Sequence, residues 1–229
     1  MDLAIFDIDG TLLGGSSERR FWRYLFAHRR QGLRQLLAYA LFLLRYVPVG
    51  GIHTIKKNKA YLTGLETAAV ERLAADFVAA DFPQYAFAQV VARLKQHLAR
   101  GDVVLLLSGT LQPIADALAR TLGVEHACAT LCDENRGRFG SAPPGRHPFH
   151  RAKVPLVREF AAQHNLDLRR ATAYSDSYHD LELLESVGCP VAVKPDRRLH
   201  AAALANNWEV MSIDGPTTAS FAPTNSDAA

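Results

Sequence analysis

The stretch Leu3–Gly15, LAIFDIDGTLLGG, decides how this chain of 229 residues can fold. A run of apolar residues ends at Asp7, and Asp9 follows just before Gly10 and Thr11. Such a short apolar run is typical of a buried strand in a parallel sheet. In open α/β sheets, ligands bind beyond the carboxyl ends of the strands. The stretch therefore predicts a first strand that brings two carboxylates to a functional site.

The chain after Gly101 alternates between strand-like and helical patterns. The runs DVVLLLSG and PVAVKPD are typical of parallel strands, and each is followed by apolar residues at helical spacing. Repeated strand–helix units predict an α/β fold with a doubly wound, mostly parallel, Rossmann-like sheet. The segment TLQPIADALARTLG is predicted to be a helix with Pro113 in its first turn, so Ser108 is expected to open that helix.

The segment between the first strand and this alternating region shows only helical patterns, which predicts an inserted α-helical cap. One of its helices is expected to be ended by Pro48 and Gly50–Gly51, and another is expected to stop near Pro83. We expect a core domain of residues 1–15 and 99–214 and a cap of residues 16–98. Residues 215–229 are polar and contain proline, which predicts a disordered tail.

The overall composition indicates a globular protein, with 48% hydrophobic and 21% charged residues. An odd, sparse set of three cysteines favours reduced thiols and a cytoplasmic location. Cys128 and Cys132 have no second pair of ligands beside them and are expected to be buried structural thiols. No secretion signal is expected. The longest apolar run of the first half covers residues 36–44, well short of the ~20 residues that span a bilayer.

Positive charge is concentrated in one segment of the predicted cap. Residues 19–65 contain seven Arg, three Lys and no acid, so this segment carries +10, while the whole chain carries only +3. One interpretation is a solvated basic face around packed aromatic side chains. Another is a surface that contacts anionic lipid head groups, which would place the protein peripherally at the inner membrane surface. No nucleic-acid motif accompanies the segment, so no nucleic-acid partner is expected.

Polar clusters are predicted at four strand or helix ends, and their chemistry is complementary. They are Asp7 with Asp9, Ser108–Thr110, Lys153, and Asp176 with Asp180. Acids crowded together in a low dielectric repel each other, and Mg²⁺ would remove that cost. Asp176 and Asp180 are four residues apart at a predicted helix start, so both are expected to face one point. A carboxylate beside the cation could attack phosphorus, while Ser108 and Lys153 could bind phosphate oxygens.

These clusters resemble the four motifs of the haloacid dehalogenase superfamily. They are DIDGT, SGT, the lysine of HRAKVPLV, and YSDSYHDLELLESVG. Their order, with a helical insert after the first motif, is similar to the phosphoserine-phosphatase-like branch, subfamily IB. The resemblance implies that Asp7 is the nucleophile and Asp9 the general acid and base. It also implies Mg²⁺ ligands at Asp7, Asp9, Asp176 and Asp180, with phosphoryl contacts from Thr11, Ser108, Gly109 and Lys153.

The resemblance therefore implies a Mg²⁺-dependent phosphatase that cleaves a phosphate monoester through an aspartyl-phosphate. The substrate would be a small phosphorylated metabolite or a lipid head-group phosphate. Two alternatives stay open, a phosphotransferase that uses the same intermediate and a non-catalytic module that binds anions or nucleic acid. One position departs from the branch, because phosphoserine phosphatases usually carry Glu where this chain has Ser16, although Glu18 lies close. That difference argues against phosphoserine as the substrate.

Overall fold

The computed structural model describes residues 1–213, so the predicted tail lies outside the described residues. Its main sheet has six parallel strands in the order β3-β2-β1-β6-β7-β8. They are β1 Leu3–Phe6, β2 Val103–Leu111, β3 His126–Thr130, β6 Thr172–Ser175, β7 Cys189–Val193 and β8 Glu209–Met211. A small hairpin joins β4 Glu134–Asn135 to β5 Arg138–Phe139. The predicted doubly wound α/β fold is confirmed.

Four helices lie between β1 and β2 in the chain. They are α1 Ser17–Ala27, α2 Leu33–Gly50, α3 Thr67–Tyr85 and α4 Ala88–Ala99. The other helices are α5 Gln112–Leu122, α6 Lys153–Gln163, α7 Leu181–Glu185 and α8 Arg197–Ala205. Ser16 caps α1, because its side chain accepts a hydrogen bond from the Arg19 amide.

Both faces of the sheet are covered by apolar side chains, which explains why β1 is an unbroken apolar run. Ala4 and Phe6 belong to one core cluster, and Leu3 and Ile5 belong to the other. Successive residues of a strand point to opposite faces, so each face of β1 contributes two side chains. The four-residue strand is therefore packed on both faces, and this packing fixes the position of its carboxyl end.

Part of the helical insert packs directly on the core domain. Helix α3 packs against α5, and α4 packs against β1 and β2. Val90, Val91 and Leu94 of α4 are buried in the same core cluster as Phe6. The predicted boundary between cap and core at residue 98 stays a prediction, and the structure shows that α4 covers the sheet.

Helices α2 and α3 end close to the predicted positions, α2 at Gly50 and α3 two residues beyond Pro83, at Tyr85. Pro48 and Pro83 lie inside the helices, which continue to Gly50 and Tyr85. A proline in the last turn removes one backbone donor, and the remaining bonds of that turn can still form. Helix α2 then ends at Gly51, where φ is +69° and the amide donates to the Val47 carbonyl.

The three cysteines are free thiols, and the prediction that Cys128 and Cys132 are buried is only partly right. Both are half-buried and pack against the edges of the two core clusters, while Cys189 is exposed. Burial raises the pKa of the Cys132 thiol to about 12, so it stays protonated at neutral pH.

Candidate active site

Residues 108–110 lie within an irregular part of β2. The prediction that Ser108 opens a helix is wrong, because β2 continues to Leu111 and α5 begins at Gln112. The register against β3 shifts, since Leu107 pairs with Cys128 and Leu111 pairs with Thr130. Two extra residues on β2 therefore bulge from the ladder at the carboxyl end of the strand. Pro113 does lie in the first turn of α5, as predicted.

Lys153 joins two of the predicted acids in a buried ionic cluster. Its Nζ donates to Asp7 Oδ1 at 2.8 Å and to Asp180 Oδ2 at 2.6 Å. The side chains of Lys153, Asp7 and Asp180 are all less than 10% exposed. Ser175, the last residue of β6, also donates to Asp180 Oδ2 at 2.7 Å. The ends of β1 and β6 and the start of α6 therefore meet at one point.

Asp176 is held by the first motif rather than by a helix. It lies in the loop after β6, before the 3₁₀ turn of residues 178–180, so the predicted helical spacing does not position it. Thr11 Oγ1 donates to Asp176 Oδ1 at 3.1 Å. Thr11 is fully buried, and its hydroxyl is turned toward Asp176 and not into the cleft. Its predicted contact with phosphate stays a prediction.

Asp9 is positioned by Ser17, a residue that was not predicted to belong to the site. The Ser17 amide donates to Asp9 Oδ1 at 2.9 Å. The Ser17 hydroxyl shares a 2.9 Å hydrogen bond with Thr110 Oγ1, which ties the start of α1 to β2. Burial raises the pKa of the Asp9 carboxyl, while the Ser17 contacts oppose that shift. Because Ser16 is the helix cap, Ser17 is available for this contact.

The carboxylates of the cluster carry more negative charge than Lys153 can balance. Burial raises the pKa of Asp7 to about 8, Lys153 opposes the shift, and Asp180 and Asp176 add to it. Burial also raises the pKa of Asp176 to about 6. For Lys153, burial alone would lower the pKa, but the carboxylates of Asp180 and Asp7 raise it. An additional cation at this point would lower the electrostatic cost.

The donor set fits Mg²⁺, which binds one or two carboxylates together with waters and phosphate oxygens. Within residues 1–213, no group of three or more His, Cys, Asp or Glu side chains is arranged as a metal site. The resemblance to the haloacid dehalogenase superfamily implies that a cation here would be held by the carboxylates of Asp7 and Asp176 and by the Asp9 carbonyl, with further oxygens from outside the protein. Gly10 allows this arrangement, because a Cβ there would lie 2.1 Å from Asp176 Oδ2.

The close approach at Gly10 gives a testable prediction. Gly10 has φ of +92°, so Gly10→Ala combines backbone strain with displacement of the Asp176 carboxylate. We expect the free energy of unfolding to fall by about 1–2 kcal/mol and catalysis at this site to be largely lost. Gly123→Ala is the matched control, because φ is +71° there and nothing lies within 4 Å of the added Cβ. Equal loss of activity in both variants would contradict this reading of Gly10.

A cleft of about 530 Å³ opens beside these residues. It is lined by Asp7, Asp9, Ser108, Gly109, Lys153, Asp176 and Asp180 on the sheet side. A larger cavity of about 690 Å³ includes Thr172 and Cys189, the first residues of β6 and β7. It therefore lies at the amino ends of these strands, away from the edge where α/β enzymes bind ligands. The smaller cleft is the candidate active site.

Glu18 faces the cleft but is already paired. Lys59 Nζ lies 2.5 Å from Glu18 Oε2, and the Tyr61 hydroxyl donates to Glu18 Oε1 at 2.8 Å. The Lys59 side chain is only 5% exposed, so the pair is shielded from water on the lysine side. The negative charge of Glu18 is therefore balanced within the protein. No sequence pattern indicated this pairing.

Two buried polar atoms in the lining of the cleft have no hydrogen-bond partner within residues 1–213. They are Trp22 Nε1 and His147 Nε2. Thr130 donates to the Gly109 carbonyl at 2.7 Å, so it accepts from His147 Nδ1 at 2.8 Å. His147 Nε2 is then an acceptor, and burial with nearby lysines lowers the pKa of His147 to about 3. The cleft thus offers one donor and one neutral acceptor that the sequence did not reveal.

The parallel sheet, with carboxylates and a buried lysine at its carboxyl edge, defines an α/β enzyme. Residues 4–185 match the family described as haloacid dehalogenase-like hydrolase. The chain belongs to this family. It is 30% identical over 213 residues to phosphoserine phosphatase SerB1 of Mycobacterium tuberculosis, covering 90% of this chain and 69% of that protein. It is also 30% identical over 224 residues to a probable phosphatase of that organism, covering 94% of this chain and 76% of that protein.

A solved structure shares the same fold. A Bordetella pertussis protein of unknown function superposes with a TM-score of 0.77 and 27% identity, covering 92% of this chain and 97% of that one. The predicted phosphoserine-phosphatase-like branch is confirmed, and the protein is a phosphatase. The non-catalytic alternative is therefore set aside. Within residues 1–213, no helix combines the length and hydropathy required of a transmembrane span.

Proposed function

We propose that this phosphatase cleaves phosphate monoesters through an aspartyl-phosphate on Asp7, with Mg²⁺ as cofactor. The observation that supports this most directly is the buried bridge of Lys153 between Asp7 and Asp180, beside Ser108. A lysine in this place restrains the nucleophile and offers positive charge to a phosphoryl group. Burying these three charges costs desolvation free energy, so a contribution to stability alone does not explain why they are there.

The first step transfers the phosphoryl group to the enzyme. Lys153 holds Asp7 Oδ1, and Asp7 Oδ2 is the oxygen that we assign to attack phosphorus. As the new Oδ2–P bond forms, the bond between phosphorus and the alcohol oxygen breaks. Asp9 gives its proton to the departing alkoxide, and its raised pKa favours the protonated form that this role requires.

The second step releases phosphate. Asp9, now ionised, takes a proton from a water molecule, and that water oxygen attacks phosphorus. The bond between Asp7 and phosphorus breaks, which returns the Asp7 carboxylate and gives inorganic phosphate. The Ser17 amide holds Asp9 on one oxygen through both steps. Ser108, Gly109 and Lys153 line the cleft and would contact the phosphoryl oxygens.

The residues that would hold the cofactor are Asp7 and Asp176 through carboxylates and Asp9 through its carbonyl. When bound, Mg²⁺ would neutralise charge on the phosphoryl group. Asp180 is engaged by Lys153 and Ser175, so its contribution to the cation is electrostatic or through water. Thr11 orients the Asp176 carboxylate.

We favour a small phosphorylated metabolite as the substrate, and a lipid head-group phosphate is the second candidate. The mycobacterial relative is named a phosphoserine phosphatase. In this chain Ser16 stands where phosphoserine phosphatases usually carry Glu, and the negative charge of Glu18 is balanced by Lys59. We therefore expect no preference for a substrate ammonium group. A phosphate-release screen of amino-acid, sugar, polyol and lipid phosphates tests this, and a strong preference for phosphoserine would contradict it.

The proton transfer by Asp9 gives a leaving-group prediction. Asp9→Asn should lower hydrolysis of an alkyl phosphate by about 10²–10⁴-fold, because the alkoxide then leaves without a proton. In the first turnover it should affect release of nitrophenolate from p-nitrophenyl phosphate much less, since nitrophenolate is a weak base, whereas the later hydrolysis of the aspartyl-phosphate loses its base with either substrate. Single-turnover rates of alcohol release from both substrates with Mg²⁺ test this. Equal losses in that first step would remove Asp9 from the role of acid.

Transfer to an acceptor alcohol is the remaining alternative chemistry. The same Asp7 intermediate could react with a second alcohol instead of water, because the cleft is open to both. Adding glycerol to the assay and measuring its phosphate ester separates the two reactions. We propose hydrolysis in the cytoplasm, so inorganic phosphate should account for nearly all of the product.

A further inference from the structure

Helix α2 presents an apolar face that no part of residues 1–213 covers. Its inner face packs on the protein, where Phe42 is buried and Tyr39 lies 5.3 Å from Trp22 between ring centroids. The outer side chains are instead largely exposed. We call them the leucine face: Leu33 (73% exposed), Leu37 (53%), Leu41 (62%) and Leu44 (74%).

The leucine face is a continuous stripe rather than scattered residues. Positions 33, 37, 41 and 44 follow helical spacing, so their side chains lie above one another on one side of α2. Large contiguous apolar patches are uncommon on monomeric proteins and mark interaction sites. The stripe therefore calls for a partner that is apolar along the length of the helix.

The sequence segment that carries the leucine face is cationic. Of the ten Arg and Lys residues between positions 19 and 65, only Arg20 and Lys59 form ion pairs within residues 1–213. The eight without an ion pair are Arg19, Arg23, Arg29, Arg30, Arg34, Arg45, Lys56 and Lys57. Two of them, Arg34 and Arg45, lie on α2 itself. This charge favours an anionic partner.

The positive charge of residues 19–65 distinguishes between two possible partners of the leucine face, a second copy of the chain and an anionic bilayer. A second copy would bring an equal +10 segment against the first, since a two-fold interface uses the same surface twice. An anionic bilayer offers an apolar interior for the leucines and negative head groups for the cations. We propose that the leucine face docks this protein on anionic lipid surfaces, with α2 lying in the plane of the interface.

The inner side of α2 adjoins the active-site cleft, since Tyr39 lines it. The 3₁₀ segment Ile52–Lys57 packs against α2, and its residues Ile55 and Lys56 line the cleft. Lys56 also lies over the Phe149 ring at 4.1 Å. The docking proposal does not rest on the proposed function, because the leucine face lies outside the cleft and its test does not depend on catalysis.

Vesicle sedimentation of the full chain tests the proposal. We expect binding to vesicles of phosphatidylcholine with phosphatidylglycerol, weaker binding to phosphatidylcholine alone, and weaker binding at high salt. Leu37→Gln/Leu41→Gln should lower the partition coefficient roughly 100-fold, because two leucines leave the interface. The matched control is Leu204→Gln on α8, where the native leucine is 61% exposed on another surface.

The variants separate docking from other effects. Both positions are exposed, so thermal unfolding and p-nitrophenyl phosphate hydrolysis in solution should match the wild type, and Leu44→Gln provides a second single-residue test. Loss of binding in the α2 variants with binding retained in Leu204→Gln supports the proposal. No binding by the wild type at low salt overturns it. Binding unaffected by the α2 variants also overturns it, as does a dimer in solution that the same variants dissociate without any vesicle binding.

Discussion

Replacement of Asp7 by Asn is expected to lower phosphate release on the order of 10⁴–10⁶-fold, the range seen when a nucleophile is removed. The amide has nearly the same shape as the carboxylate but cannot form the bond to phosphorus. Steady-state rates on p-nitrophenyl phosphate with Mg²⁺ measure the loss. The assay should use saturating substrate, so that weaker binding is not mistaken for slower chemistry.

The Asp7→Asn variant is also expected to stay folded. Burial raises the pKa of Asp7 to about 8, so the ionised carboxylate is costly without a cation, and a neutral amide avoids that cost. Lys153 keeps its contact with Asp180 in the variant. Thermal unfolding without Mg²⁺ should therefore give a Tm close to that of the wild type. Asp76→Asn, an exposed acid of α3, is the control for activity. Rates near the wild-type value in Asp7→Asn would exclude the aspartyl-phosphate mechanism.

Replacement of Lys153 by Met is expected to reduce both activity and stability. The substitution leaves Asp7 and Asp180 buried without their cation, and removing one partner of such a pair costs about 3–5 kcal/mol. Urea unfolding at neutral pH without Mg²⁺ measures the free energy of unfolding. Phosphate release should also fall, because the nucleophile loses its restraint and the phosphoryl group loses a positive contact.

Two further variants test whether the stability lost in Lys153→Met comes from its buried ion pairs with Asp7 and Asp180. Arg151→Met removes a neighbouring but exposed pair with Glu182, which is worth only about 0–1 kcal/mol. Adding Asp180→Asn to Lys153→Met removes one of the stranded acids, so part of the lost stability should return without recovery of activity. If Lys153→Met unfolds at the same urea concentration as the wild type, the buried bridge does not contribute as the structure indicates.

The local patterns were sufficient for the elements around the site. The apolar run before Asp7 predicted β1, because a strand buried on both faces must be apolar throughout. The position of Pro113 was also correct, since a first-turn proline depends only on nearby backbone. Patterns failed where tertiary contacts decide, as at Ser108, where pairing with β3 extends the strand beyond the predicted helix start.

The sequence by itself determined the strand–helix order, the family and the positions of the candidate acids and lysine, because spacing and residue type are local properties. Only the tertiary structure decided which atoms meet. Lys153 reaches Asp7 across 146 positions of the chain, Glu18 is neutralised by Lys59, and His147 is left with an unpaired acceptor in the cleft. The tertiary structure also decided that the leucine face of α2 is exposed. Amphipathic spacing shows that a helix has two faces, but only the packing of neighbouring elements shows which face remains uncovered.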